Sequence, residues 1–318
     1  MPNQDVTALK VAVLAGGWSD EREISLVSGS EVAEALRQAG FQHVDQIDPA
    51  SDGFLKQMVN GGYDVAFVAM HGKLGEDGSI QGLLEVLHVP YTFSGVSASA
   101  IAMEKGAAKV VFEHAGIPVP RGVELKDADL DRTETDALVD ELGLPLFVKP
   151  EGNGSSIGIS RVTSREELPA AIEKAFQAGD GVLVESAVEG IEITVPVVGN
   201  MRPRALPIIE VVTGSDFYDE KVKYEPSELH HVIPARLDEE TYAKAQELAV
   251  RAHQALGCRG CSRSDFIVRA DGTPVILETN TIPGMTSASL LPDSARHAGI
   301  EFEELCRRFV ELALEDKR

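Results

Sequence analysis

The sequence predicts an α/β protein, and three observations carry the prediction. Val11–Ala15 is an apolar run without polar alternation, as in a strand covered on both faces; Gly16-Gly17 turns the chain, and Glu23–Gln38 sets Ile24, Leu26, Val27, Val32 and Leu36 at roughly helical spacing before Gly40. The pattern then repeats. Val44–Ile47, Val65–Met70 and Tyr91–Thr92 read as strands, with a helix Ile80–Leu87 between the last two, and such alternation implies a parallel sheet with helices on its faces. Late in the chain, Asp271-Gly272 separates the strands Phe266–Arg269 and Thr273–Glu278, a hairpin signal.

Between these regions, Ala98–Ala115 reads as one helix, broken at Gly116-Ile117-Pro118. The acidic stretch Asp127–Asp136 reads as solvated, as does Asp238–Glu240. Leu146–Pro150, a turn over Gly152–Ser156, Ser160–Val162, a helix Arg165–Ala178 and Val182–Glu185 describe a small mixed sheet. Beyond Glu192 the strands lengthen, at Ile193–Val198 and Leu206–Val212, with a helix Glu239–Leu256 packed on them. Gly214–Pro234 is polar and aromatic with little periodicity and reads as a lid. Three units result: 1–96, 97–188 and 189–318.

Composition narrows the function classes. The 318 residues include 29 Lys and Arg against 51 Asp and Glu, a formal charge of −22, with 43% hydrophobic residues. That is enough apolar material for proper cores. A balance this acidic argues against a sequence-independent grip on nucleic acid and against anionic membrane surfaces. No apolar run approaches bilayer length, and MPNQDVTALK carries no secretory pattern. With three cysteines, a disulfide scaffold is not expected, and a cytoplasmic location with ATP at hand is.

Three places carry chemistry. After Lys149, the glycines and serines of Gly152–Gly158 can close backbone N–H groups on a phosphate, although on composition alone an ordinary turn is the better reading. The loop is not a Walker sequence. Glu278 and Asn280, two apart, share a strand face, and antiparallel pairing can bring Asp265 beside them. Two carboxylates and an amide suit Mg²⁺ holding phosphates; a polar strand end is the equal alternative. Pro283-Gly284 follows directly and could present N–H groups to an oxyanion, with Arg263 on the same face as Asp265, or could be a plain turn beside a surface Arg.

Taken together, the residues Gly16-Gly17, Glu21–Leu26, His71-Gly72 with Gly75–Gly78, Gln81-Gly82, Tyr91-Thr92 with Ser94-Gly95, Val148–Pro150, Gly154–Ser156 with Gly158, Phe217–Asp219 with Lys223-Tyr224, Arg263–Asp265 and Glu278–Ser287 closely resemble the D-alanine–D-alanine ligases, enzymes of the ATP-grasp fold. The resemblance runs in order over essentially the whole chain. It implies three α/β domains with ATP between the central and C-terminal ones. It also implies a reaction in which ATP phosphorylates one D-alanine and the amine of a second displaces phosphate, for peptidoglycan precursor synthesis.

The resemblance further implies residue roles. Lys105, Lys149 and Ser156 would hold ATP phosphates; Glu185 and the Val188 backbone would meet adenine, and Glu192 the ribose. Asp265, Glu278 and Asn280 would hold two Mg²⁺ or Mn²⁺ ions, with K⁺ as an activator. Arg263 and the Gly284 N–H would stabilise the oxyanion. Glu21, linked through Ser155 to Tyr224, would bind the first ammonium, with His71 nearby. Lys223, Ser289 and Leu290 would lie near the second substrate. A homodimer is implied as well. Glu220 and Ser186-Ala187 depart from the family pattern beside the lid and adenine, while Tyr224 is retained and favours D-alanine over D-lactate as second substrate.

Cys258-x-x-Cys261 has no second pair and no His at zinc spacing, so neither metal nor redox chemistry is expected there. His230-His231 reads as lid surface. Trp18 reads as packing beside the first glycine turn.

Overall fold

The computed structural model describes residues 6–126, 132–152, 158–213 and 229–315. Three sheets organise them. The first has order β2-β1-β3, from β1 (Lys10–Leu14), β2 (His43–Ile47) and β3 (Val65–Val68), and is parallel as its alternation predicts. Its helices are α1 (Arg22–Gln38), α2 (Phe54–Asn60) and α3 (Ser79–Val86). The strand expected at Tyr91–Thr92 is a single bridge, Ala66 to Tyr91.

The predicted helix Ala98–Ala115 is two helices, α4 (Val96–Met103) and α5 (Lys105–His114). Glu104 between them is extended, at φ −86° and ψ 101°. The break starts a new helix at Lys105.

In the second sheet, β4 (Gly122–Leu125), β5 (Leu146–Pro150), β6 (Ser160–Val162) and β7 (Val182–Ser186) take the order β4-β7-β5-β6. It is antiparallel throughout, not mixed. The helix α7 (Leu168–Phe176) carries the chain from β6 past β5, so the two like-directed strands never become neighbours. The acidic stretch is helical from residue 132, in α6 (Arg132–Leu142), because Leu138, Val139 and Leu142 form a buried stripe behind its charges.

The third sheet runs β11-β10-β8-β12-β13, with β9 (Arg204–Ala205) on β8 (Ile191–Val198). Here β10 is Ile209–Thr213, β11 Leu229–Val232, β12 Cys261–Val268 and β13 Pro274–Asn280. The expected strand Leu206–Val212 starts only at Ile209, since Pro207 cannot donate to a ladder. Edge strand β11 takes up His231, half-buried, from the segment read as a lid. α8 (Glu239–Leu256) is capped by Asp238, whose Oδ1 accepts the Thr241 N–H at 2.9 Å, and ends at left-handed Gly257.

Two segments pack away from their chain neighbours. α9 (Leu290–His297) and α10 (Phe302–Leu314) join the first sheet's core, where Phe309 meets Phe67 and Phe93 edge-on with centroids 6.4 and 5.0 Å away. α4 and α5 lie with α8 against the third sheet, around Phe112, Ile193, Leu248 and Phe266. Cys258 and Cys261 are buried free thiols, and burial pushes Cys258 up to about 11.

Candidate active site

A cavity of about 660 Å³ opens between the second and third sheets, within the range of small-molecule sites. Phe147 and Lys149 of β5 and Glu185 of β7 form one wall; Ala187, Val188 and Gly190 form the connection; Glu192, Thr194, Arg263, Asp265 and Glu278 form the other. Leu290, at the start of α9, closes one side.

Strand register assembles the charged wall. Asp265 stands opposite Thr194 on one side and Glu278 on the other, and Arg263 opposite Asn280. Directly opposed residues share a face, as do residues two apart. Hence Glu192, Thr194, Arg263, Asp265, Glu278 and Asn280 lie on one face, while Phe266 and Val268 turn down into the core. Arg263 grips Asp265 bidentately, Nε to Oδ1 at 3.0 Å and a terminal N–H to Oδ2 at 2.8 Å, and the Thr194 hydroxyl also bonds Oδ1. Burial, and then repulsion from Asp265 and Glu278, push the Glu192 carboxyl up to about 7.

The lysines come from two elements. Lys105 opens α5 and lies 3.7 Å from Glu278. Lys149 reaches Glu185 from β5. Glu185 is fully buried, its two oxygens divided between Lys149 and Lys109. Its carboxylate therefore faces these two lysines. The charge on Lys149 is opposed by burial, yet Glu185, Glu278 and Glu192 together leave it above its ordinary range.

Beyond Asn280 the chain is tightly held. Asn280 Oδ1 accepts the Ile282 N–H at 3.0 Å, and Ser289 Oγ bonds both the N–H and the hydroxyl of Thr286. Gly284 packs close to Ser289: a Cβ there would lie 2.9 Å from Ser289 Oγ.

A second cavity, about 710 Å³, separates the first sheet's loops from the second sheet. Trp18 lines it and is 57% exposed, so this tryptophan is not a packing residue. Glu21 also lines it, its Oε2 close against Gly72. The neighbouring His71 is buried, with Nε2 3.2 Å from Ser28 Oγ and its carbonyl accepting the Ser19 hydroxyl. Ser155, Ser156, Lys223 and Tyr224 lie outside the described residues, as does Glu220.

Three residues escaped the sequence reading. Thr194 is two along β8 from Glu192, and Lys109 four along α5 from Lys105, spacings that place each on its neighbour's face. Glu151 carried no such signal; its Oε1 accepts the Gly106 N–H at 2.9 Å and so caps α5.

Comparison with known proteins places this arrangement. A family model described as the D-ala D-ala ligase C-terminus matches residues 111–311, and one described as the D-ala D-ala ligase N-terminus matches 49–94. The chain belongs to the D-alanine–D-alanine ligase family. Among relatives, the D-alanine–D-alanine ligase of Desulforamulus reducens is 47% identical, covering 97% of this chain and 99% of its own. That of Desulforudis audaxviator is 48% identical, covering 96% and 99%. Among solved structures, a D-alanine–D-alanine ligase from Bacillus anthracis complexed with ATP superposes with a TM-score of 0.83 at 32% identity, covering 96% of this chain and 98% of that one. The VanG D-Ala:D-Ser ligase of Enterococcus faecalis has the same TM-score at 31% identity, with 96% and 100% covered. The fold is ATP-grasp, as the family members have it.

Among the described residues no group of three His, Cys, Asp or Glu side chains is arranged to hold a metal ion. The set expected from the sequence counts an amide, Asn280. Its donors are all hard oxygens, and the Asp265 and Glu278 carboxylates stand opposite one another across β12 and β13. A divalent cation fits such an oxygen set.

Proposed function

We propose that this chain joins two D-alanines into D-alanyl-D-alanine at the expense of ATP, through a D-alanyl phosphate. The carrying observation is the single cavity wall on which Arg263, Asp265 and Glu278 converge opposite Lys149, with Asn280 in register beside Arg263. Phosphoryl transfer needs little covalent help from a protein; it needs anionic groups held together and their charge offset.

In this reading Lys105, Lys149 and Ser156 hold the phosphates of ATP. Adenine lies against Val188 and the backbone beside it, with Glu185 acting on Lys149, and Glu192 takes the ribose hydroxyls. Asp265, Glu278 and Asn280 would hold two Mg²⁺ or Mn²⁺ ions, which when bound neutralise charge on the transferred phosphoryl group. Arg263 and the Gly284 N–H stabilise the oxyanion formed when the second amine adds to the acyl phosphate. Glu21 binds the ammonium of the first D-alanine, and its link through Ser155 to Tyr224 belongs to the same proposal. His71 lies close to the first D-alanine. Lys223, Ser289 and Leu290 border the second substrate.

K⁺ activation, a homodimer, a cytoplasmic location and the division at 96/97 and 188/189 are parts of the same proposal. No described helix is long and apolar enough to cross a membrane. The deciding experiment supplies ATP, Mg²⁺ and D-alanine and looks for the dipeptide and ADP. A second reading, D-serine as the second substrate, is favoured by the equal likeness to the VanG ligase. Competing D-alanine, D-serine and D-lactate in one assay separates the readings. ADP formation without dipeptide would point to another acceptor, and no ADP at all to a silent nucleotide binder.

A further inference from the structure

Lys109 is a buried lysine outside the cavity lining, on the face of α5 that also carries Lys105. Its ammonium binds Glu185 Oε2, while Lys149 binds Oε1, and Pro120 O lies 3.5 Å from it. One carboxylate thus serves two cations. An isolated Lys149–Glu185 pair would be neutral, and a neutral pair offers a phosphate little. With Lys109 on the far oxygen, the single negative charge of Glu185 is shared between two cations.

We infer that Lys109 is a positioning residue for nucleotide binding, which by holding the far oxygen of Glu185 leaves Lys149 with the net positive charge that receives the ATP phosphates. The inference rests on the ATP reading above. Burial acts in the same geometry: it pulls Lys109 below its ordinary range despite Glu185, and Lys149 adds to that pull. Glu185 is thus the chief group holding Lys109 charged, and the three groups form one unit, not two independent pairs. Neither an arginine fork nor an uncharged side chain reproduces a point charge on one oxygen, so the site is specific to lysine.

The test measures KM for ATP and for D-alanine, by dipeptide formation, in wild type, K109M, K109R and K109M/E185Q. Removing Lys109 leaves Glu185 to neutralise Lys149, so K109M should raise the KM for ATP about tenfold or more, on the order of 1.4 kcal/mol, with the D-alanine KM within about twofold. K109R should recover part of the loss. The double variant removes the surplus negative charge together with Lys109, and should return the ATP KM to within about threefold of wild type. A merely structural lysine predicts the opposite order, with the double variant worse than the single.

An unchanged ATP KM in K109M, or a double variant worse than K109M, overturns the inference. Should K109M fail to fold, the double variant alone decides: an ATP KM within about threefold of wild type supports the inference, and anything larger overturns it. A wild-type protein that makes no dipeptide would instead overturn the ATP reading. In that case, equilibrium binding of ATP to the same variants reads the charge argument separately, with the same order expected.

Discussion

Asp265 and Glu278 stand directly opposite one another across β12 and β13, just before the bulge that shifts the register at Phe266. In-register carboxylates on one face repel unless a cation lies between or beside them. Here Arg263 and Lys105 supply part of that compensation. Glu278→Gln keeps the shape and removes the charge. Turnover should fall by at least about 100-fold, the size of losing one preorganised electrostatic group, while circular dichroism and melting stay close to wild type. Activity within a few-fold of wild type would remove Glu278 from the metal set.

The Arg263–Asp265 fork makes a separate prediction. Lysine keeps the charge but cannot donate two parallel N–H groups to a carboxylate. Arg263→Lys should therefore lower kcat by about 10- to 100-fold and change the ATP KM little, because the guanidinium acts on the oxyanion and not on the nucleotide. A rise in the ATP KM with kcat intact would assign Arg263 to nucleotide binding instead.

Much of this site was legible because strands impose a period of two. Asp265 with Arg263, and Glu278 with Asn280, follow from spacing alone, and the Asp271-Gly272 turn sets their opposition. What was not legible depends on contacts far apart in sequence. Lys109 gains its meaning only from Glu185, and no local pattern announces that pair. α9 and α10 cross back to the first sheet, a choice made by Phe67, Phe93 and Phe309 together. The break at Glu104 likewise was hidden, since no proline marks a stop within Val96–His114 and Glu151 caps the second helix from just beyond β5.

Gly190 joins the two cavity walls at a position only glycine fits. A Cβ there would lie 2.0 Å from the Val268 carbonyl oxygen, and that neighbour is backbone and cannot swing aside. Gly190→Ala should cost about 1–3 kcal/mol, read as a lowered melting temperature, and should raise the ATP KM as β8 shifts. Gly257→Ala is the control: its φ is +73° but nothing lies within 4 Å, so it should cost about 1 kcal/mol with no change in KM.

His253 ties acid sensitivity to the core beneath the site. It is fully buried on α8, with Nδ1 2.8 Å from Ser262 Oγ on β12, one residue before Arg263. Burial lowers its pKa from 6.5 to about 4. Between those two values the unfolded chain binds a proton that the folded chain refuses, so folding stability falls as pH drops through that window and levels off below about 4. The full effect is about 3 kcal/mol, from roughly 1.4 kcal/mol per pH unit. Urea unfolding at steps from pH 7 to pH 4 should therefore show a steeper loss in wild type than in His253→Gln, whatever the variant's stability at pH 7. Parallel slopes for the two proteins would mean that His253 takes up its proton without unfolding, and that the interior beneath β12 admits water.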